Sequence, residues 1–167
     1  MALSDLLLPE YDHEMATTRR VLVRVPETHF SWTPHDKSMT LGQLAGHIAW
    51  LPSWCTKVLE TTAVDFEAED AARVRLEMPA SLAALMRAFD SRVIAARALL
   101  STRTDAELLT PWTLAKGDEE VFTMPRISVI RSFVMNHVIH HRGQLTVYLR
   151  LREVPLPPIY GPTGEEA

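Results

Sequence analysis

Two histidines in the last quarter of the chain stand at a spacing that suits metal binding. His137 and His141 are four residues apart in the segment NHVIHHRGQL, residues 136–145. If this segment is helical, both imidazoles lie on one face, one turn apart, and can reach the same ion. That face is otherwise apolar, which places the pair toward the interior of the protein. Its apolar members are Ile130, Val134, Leu145 and Tyr148.

A metal site needs a third ligand, and His47 is the best candidate. It shares a second apolar helical face with Leu44, Leu51, Trp54 and Val58. Burying an unpaired imidazole costs desolvation energy, which a bound metal offsets. Three neutral imidazoles suit zinc, nickel, copper or iron better than calcium or magnesium, and they leave a coordination position open. The alternative is that these are core histidines bonded to backbone carbonyls or water.

The polar residues next to the histidine pair can each be assigned one of two roles. Asn136 and Gln144 either hydrogen-bond ligands and substrate or make surface contacts. Arg142 pairs with a carboxylate, which we favour, or holds an anionic substrate. Tyr148 is expected in the core, and Cys55 is expected to be a buried, unreactive thiol. Four further histidines are expected to stay outside the site: His13, His29, His35 and His140.

Four segments with a helical period position these residues. They run from about Leu3 to Arg24, Leu41 to Glu60, Pro79 to Leu100 and Ile127 to Glu153. Pro52 lies inside the second segment and cannot donate an amide hydrogen bond, so we expect a kink there. Residues 65–77, DFEAEDAARVRLE, are interpreted as a solvated connection.

The stretch before the last helix has a different pattern. From Pro111 to Pro125, the β-prone runs WTLA and EVFTM flank the polar turn KGDE, which predicts a short β-hairpin. The pattern as a whole predicts an all-α protein, a four-helix bundle with this hairpin before the last helix. We expect one domain over residues 1–167.

Composition and charge exclude several classes of function. The net charge is -4, without a basic stripe, so we expect no nucleic-acid partner. No apolar run approaches the roughly 20 residues that span a bilayer, so we expect no membrane partner. There is one cysteine, which excludes an intramolecular disulfide and fits a reducing compartment. With no secretory signal in the first residues, we expect a cytoplasmic protein.

The segment NHVIHHRGQL resembles the signature helix of the DinB-like, or YfiT-like, family of metal-dependent enzymes. Further segments resemble that family in the same order: MATTRRVL, FSWTPHDKSMTLGQLAGHIAW, FTMPRISVI and PLPPIYGPTGEE. The resemblance implies a four-helix bundle with an open three-histidine site. One ligand comes from the second helix and two from the fourth, which gives His47, His137 and His141. It also implies a homodimer.

The resemblance further implies one divalent ion, zinc or nickel in the first place and iron or manganese as alternatives. Some members of the wider superfamily use a low-molecular-weight thiol. We therefore expect a thiol-dependent S-transferase or a hydrolase-like enzyme that takes a small thiol and an electrophile. Tyr160, in the Pro-rich tail, is a candidate cover for the pocket. The alternative function is a non-catalytic, metal-binding stress-response protein, which would have a blocked or shallow pocket over the metal.

Overall fold

The protein is predominantly helical, as the sequence predicted. A computed structural model describes residues 2–67 and 78–165. The helices are α1 (Leu3–Leu22), α2 (Leu41–Trp50), α3 (Pro52–Glu60), α4 (Leu82–Ser101), α5 (Asp105–Leu109), α6 (Arg126–Val129) and α7 (Asn136–Leu151), with a 3₁₀ helix at Glu27–His29 and a π-helical segment at Ile130–Met135. The strands are β1 (Ala63–Asp65), β2 (Pro111–Lys116) and β3 (Glu119–Pro125).

The second predicted helix begins and divides at the expected residues. Thr40 precedes α2 and its hydroxyl accepts a hydrogen bond from the Gln43 amide, while the Gln43 side chain accepts one from the Thr40 amide. These two bonds satisfy amides that have no partner within the helix. Pro52 opens α3, and Leu51 before it keeps helical dihedral angles. The interruption at Pro52 is therefore local, because proline removes one hydrogen bond of the helical ladder.

The long helices pack on one another around a common apolar core. Helix α4 contacts α1, α2 and α3, and α7 contacts α1 and α2. Tyr11, Met15, Leu44, Phe89 and Leu145, from four different helices, are fully or almost fully buried. This packing brings α2 against α7, the two helices that carry the three predicted ligands.

A three-stranded sheet closes one side of the helices. Strands β2 and β3 form the predicted antiparallel hairpin, whose turn contains Gly117 at a φ of 59°. Such a positive φ costs glycine little because it lacks a Cβ atom. Strand β1 pairs parallel to β2 and was not predicted. It has three residues, too few to show the alternation that identifies a strand in a sequence.

The last predicted helix contains an irregular turn. It runs without a break from Arg126 to Leu151, but Ile130–Met135 is π-helical. A π-turn adds a residue and rotates the part of the helix beyond it, and such turns are frequent at functional sites. Here the segment contacts α3 and lies directly before the residues of NHVIHHRGQL.

The predicted connection between the second and third helical segments is described only in part. Asp65, the first residue of the predicted acidic connection, belongs to β1, and residues 68–77 lie outside the described residues. In the described parts of the chain, no helix is both long and apolar enough to cross a bilayer.

Candidate metal centre

The structure brings the three predicted histidines together. His47, His137 and His141 can each offer one ring nitrogen, and these three atoms lie within 4.8 Å of one another. The ring centroids are 4.6 to 5.1 Å apart. His47 and His141 are buried and His137 is half-buried. One imidazole comes from α2 and two from α7, the division that the family resemblance implied.

The spacing of the ring nitrogens suits a small transition-metal ion. Nε2 of His47 and Nε2 of His137 are 3.4 Å apart. Two nitrogens that each lie about 2.0–2.1 Å from a tetrahedral zinc are roughly 3.3–3.4 Å from one another. The pair therefore has the separation of two ligands on one ion with almost no adjustment.

Gln144 fixes the tautomer and the orientation of His141. Nδ1 of His141 is 2.7 Å from the Oε1 atom of Gln144. Because an amide oxygen only accepts hydrogen bonds, Nδ1 carries the proton and Nε2 keeps its lone pair for the cluster. Of the two interpretations of Gln144, the structure shows the hydrogen bond to a histidine of the cluster. Asn136 instead accepts a hydrogen bond from Arg131, at 3.4 Å, and is exposed.

A cavity of about 290 Å³ opens beside the cluster. His47 and His137 line it, together with side chains from the helices and from the sheet. The other lining residues are Trp50, Trp54, Phe66, Leu114, Lys116, Val121 and Phe133. Its volume is near the lower end of the range for small-molecule sites, which are mostly apolar with a few polar groups.

Aromatic side chains hold the wall of this cavity in place. Phe133, in the π-helical segment, packs against Trp54 at 5.5 Å and against His137 at 5.8 Å between ring centroids. Trp50 packs edge-on against Trp54, at 5.8 Å. The sequence placed Trp54 on the apolar face of His47, and Trp50 was not singled out there. Trp50 follows His47 by three residues and precedes Trp54 by four, and this spacing was the signal that Trp50 lies near the same face.

Arg142, next to His141, makes a buried ion pair rather than a contact with the cavity. Its Nη1 atom is 2.7 Å from a carboxylate oxygen of Glu14 on α1, and the two side chains are 2% and 7% exposed. Tyr160, from the tail, lies 2.6 Å from Arg142 and 2.9 Å from the same carboxylate. The expected carboxylate partner is therefore confirmed. Tyr160 covers this ion pair, and it is not among the residues that line the cavity, so the interpretation as a pocket cover was wrong.

The remaining candidates lie outside the cluster. Cys55 is fully buried, and burial raises the pKa of its thiol to about 12, so it stays protonated and unreactive. Tyr148 packs against Trp32 and does not line the cavity. His140 is exposed on the outer side of α7. The group that could hold a metal contains none of the other histidines: His13, His29, His35 and His140.

Comparisons with known proteins agree with this geometry. The profile of the DinB family matches residues 2–167. The chain belongs to the DinB family. One relative, the uncharacterized protein YrdA of Bacillus subtilis, is 28% identical over 166 residues, which cover 97% of this chain and 90% of YrdA.

Two solved structures share the fold of this DinB-family chain. A DinB-like protein of Bacillus cereus is 24% identical, with a TM-score of 0.71, over 92% of this chain and 95% of its own. The DinB-like protein YjoA of Bacillus subtilis is 18% identical, with a TM-score of 0.69, over 93% of this chain and 96% of its own. At these identities the likeness concerns the helical fold.

Proposed function

We propose that this DinB-family protein binds one divalent metal ion through His47, His137 and His141. The observation that carries the proposal is the convergence of three imidazoles, each able to present a nitrogen to the same point. An all-nitrogen donor set favours zinc or nickel, with iron as an alternative, and the family resemblance adds manganese as a further alternative. Three protein ligands leave a position open for a small molecule, which is typical of catalytic rather than structural sites.

We further propose that the site serves an enzyme that acts on a low-molecular-weight thiol and an electrophile, as an S-transferase or a hydrolase-like enzyme. A bound divalent cation lowers the pKa of a thiol that reaches it, so that the thiolate forms at neutral pH. The chain itself supplies a cavity of about 290 Å³ beside two of the ligands, with aromatic side chains to bind the apolar parts of a substrate. A non-catalytic metal-binding protein would need no such cavity.

Elemental analysis tests the metal site. Full-length protein purified without added metal is expected to contain one divalent ion per chain, and His137→Ala is expected to lose it. His140→Ala is the matched control, because His140 is exposed and outside the cluster. If the His137→Ala protein kept one ion per chain with wild-type affinity, the assignment of ligands would be wrong.

Cobalt substitution tests the function of the open position. Titration of the cobalt-loaded protein with small thiols is expected to produce a sulfur-to-metal charge-transfer band that grows to saturation. The same titration of His137→Ala controls for free cobalt. If a protein shown to hold its cobalt gave no spectral change with any thiol, the non-catalytic metal-binding function would be the better interpretation.

A further inference from the structure

We propose that Lys116 selects ligands with an anionic group, so that the cavity beside the histidines takes small, partly apolar acids. The proposal deepens the proposed function, since it concerns the substrate class of the same site. The preference that it assigns to Lys116 does not itself require a metal. It can therefore be tested separately from the three histidines.

The position of Lys116 in β2 directs it to the cavity. Leu114 and Lys116 are two residues apart and both line the cavity, as expected for neighbours on one face of a strand. Trp112, two residues earlier, is fully buried. Trp112, Leu114 and Lys116 therefore lie on the same face of β2, and Lys116 is the last of them, at the end of the strand. Its side chain is 59% exposed, so the stem can lie along the wall while the ammonium group stays hydrated at the mouth.

The apolar surroundings strengthen the attraction of this ammonium group for anions. Among the described residues that line the cavity, Lys116 is the only one with a full charge, and most of the others are aromatic or aliphatic. Low-dielectric walls strengthen the field of a charge at their edge. The chain as a whole has a net charge of -4 and would not attract anions. The attraction is therefore local to this mouth.

The present partner of Lys116 is easily replaced. Its Nζ atom lies 3.8 Å from a carboxylate oxygen of Glu67, and both side chains are 59% exposed. An ion pair so long and so exposed contributes little to stability. The carboxylate of a ligand can take the place of Glu67 while the apolar part of the ligand packs against the aromatic wall.

The size of the cavity limits the class of acid. A volume of about 290 Å³ accommodates one ring with a short acid arm rather than a large cofactor. We infer that the ligand carries an apolar or aromatic body of about this size and one carboxylate or similar anion.

The test compares an acid with its neutral amide. Full-length protein is titrated with 3-phenylpropionate and with 3-phenylpropanamide, and binding is followed by calorimetry and by the fluorescence of the tryptophans in the wall. Wild type is expected to bind the acid at least threefold more tightly than the amide, the size expected of one partly exposed ion pair. Lys116→Gln is expected to lower this preference about threefold, whatever a metal bound by the histidines adds to it, and Lys116→Arg to retain it. Lys37→Gln, which removes the same charge from an exposed loop, should behave as wild type.

The outcomes separate this proposal from the metal site. Equal binding of acid and amide by wild type, or no binding of either, would overturn the role of Lys116. An acid preference as large in Lys116→Gln as in wild type would also overturn it, because the carboxylate would then bind elsewhere. Metal content is measured in every preparation. A failure of the three-histidine assignment appears there, and the acid preference can persist without it.

Discussion

At the scale of single residues, His141 is held by a bond that decides which of its nitrogens can face a metal. Gln144 accepts that bond at 2.7 Å. Residues that orient a metal-bound histidine typically change metal affinity by 10- to 100-fold when they are replaced. We expect Gln144→Ala to weaken zinc binding by about tenfold, the lower end, because Gln144 is exposed and water can replace it in part.

Competition with a chelating dye measures that affinity. Asn136→Ala is the matched control, since Asn136 bonds to Arg131 and to no ligand. A similar loss of affinity in both variants would contradict a specific role for Gln144.

Arg142 is a second residue whose role depends on its partner. It is 2% exposed and lies against Glu14, so its removal leaves a buried carboxylate without its cation. We expect Arg142→Met to lower the free energy of unfolding by about 3 kcal/mol, and Arg142→Met with Glu14→Gln to lower it by less than the sum of the two single effects. Urea denaturation measures both.

Arg97→Met is the control, because its bidentate pair with Asp12 is 49% and 42% exposed, and we expect it to cost less than about 1 kcal/mol. Additive effects of Arg142 and Glu14 would contradict the coupling.

At the scale of elements, two helical glycines are expected to respond oppositely to the same substitution. A Cβ atom on Gly42, in α2, would lie 2.8 Å from Met78 and 3.0 Å from the carbonyl oxygen of Phe30. A Cβ atom on Gly143, in α7, would meet nothing within 4 Å. We expect Gly42→Ala to destabilise the protein by about 1–3 kcal/mol through crowding, and Gly143→Ala to stabilise it by about 0.5–1 kcal/mol through its higher helix propensity.

Thermal and urea unfolding of the two variants give the signs directly. The crowding at Gly42 involves a backbone oxygen that also accepts the Gly42 amide hydrogen bond, at 2.9 Å, so the contact cannot relax by a side-chain rotation alone. Stabilisation by Gly42→Ala would show that the start of α2 can move away from Phe30. Metal content should be unchanged in Gly143→Ala.

At the scale of the whole molecule, the number of chains in the protein in solution stays a prediction. The family resemblance favours a homodimer, and closed two-fold pairs are the commonest assemblies of soluble proteins. Light scattering at micromolar concentration is expected to give twice the 18.8 kDa of one chain. A mass near 18.8 kDa at that concentration would contradict the homodimer.

The sequence alone was enough to predict the four long helical segments and the identity of the three clustered histidines, but not the short helix α5. A helical period with flanking prolines and a capping pair is local information, and so is the alternation of the hairpin. His137 and His141 face one side because they are four residues apart, whatever surrounds them. His47 was found because an imidazole on an apolar face needs a partner. The pairing of Arg142 with a carboxylate was expected, although its partner Glu14 was not identified.

The surroundings of the three histidines depend on tertiary packing, which the sequence did not reveal. Strand β1 and the wall residues Phe66, Lys116 and Phe133 come from parts of the chain far apart in sequence, and their meeting depends on how the sheet packs on the helices. The π-helical turn at Ile130–Met135 was not predicted, and it lies against α3, which is distant in sequence. Tyr160 contacts Glu14 and Arg142 rather than the pocket, and the sequence could not show this because the tail has no periodic pattern to orient it.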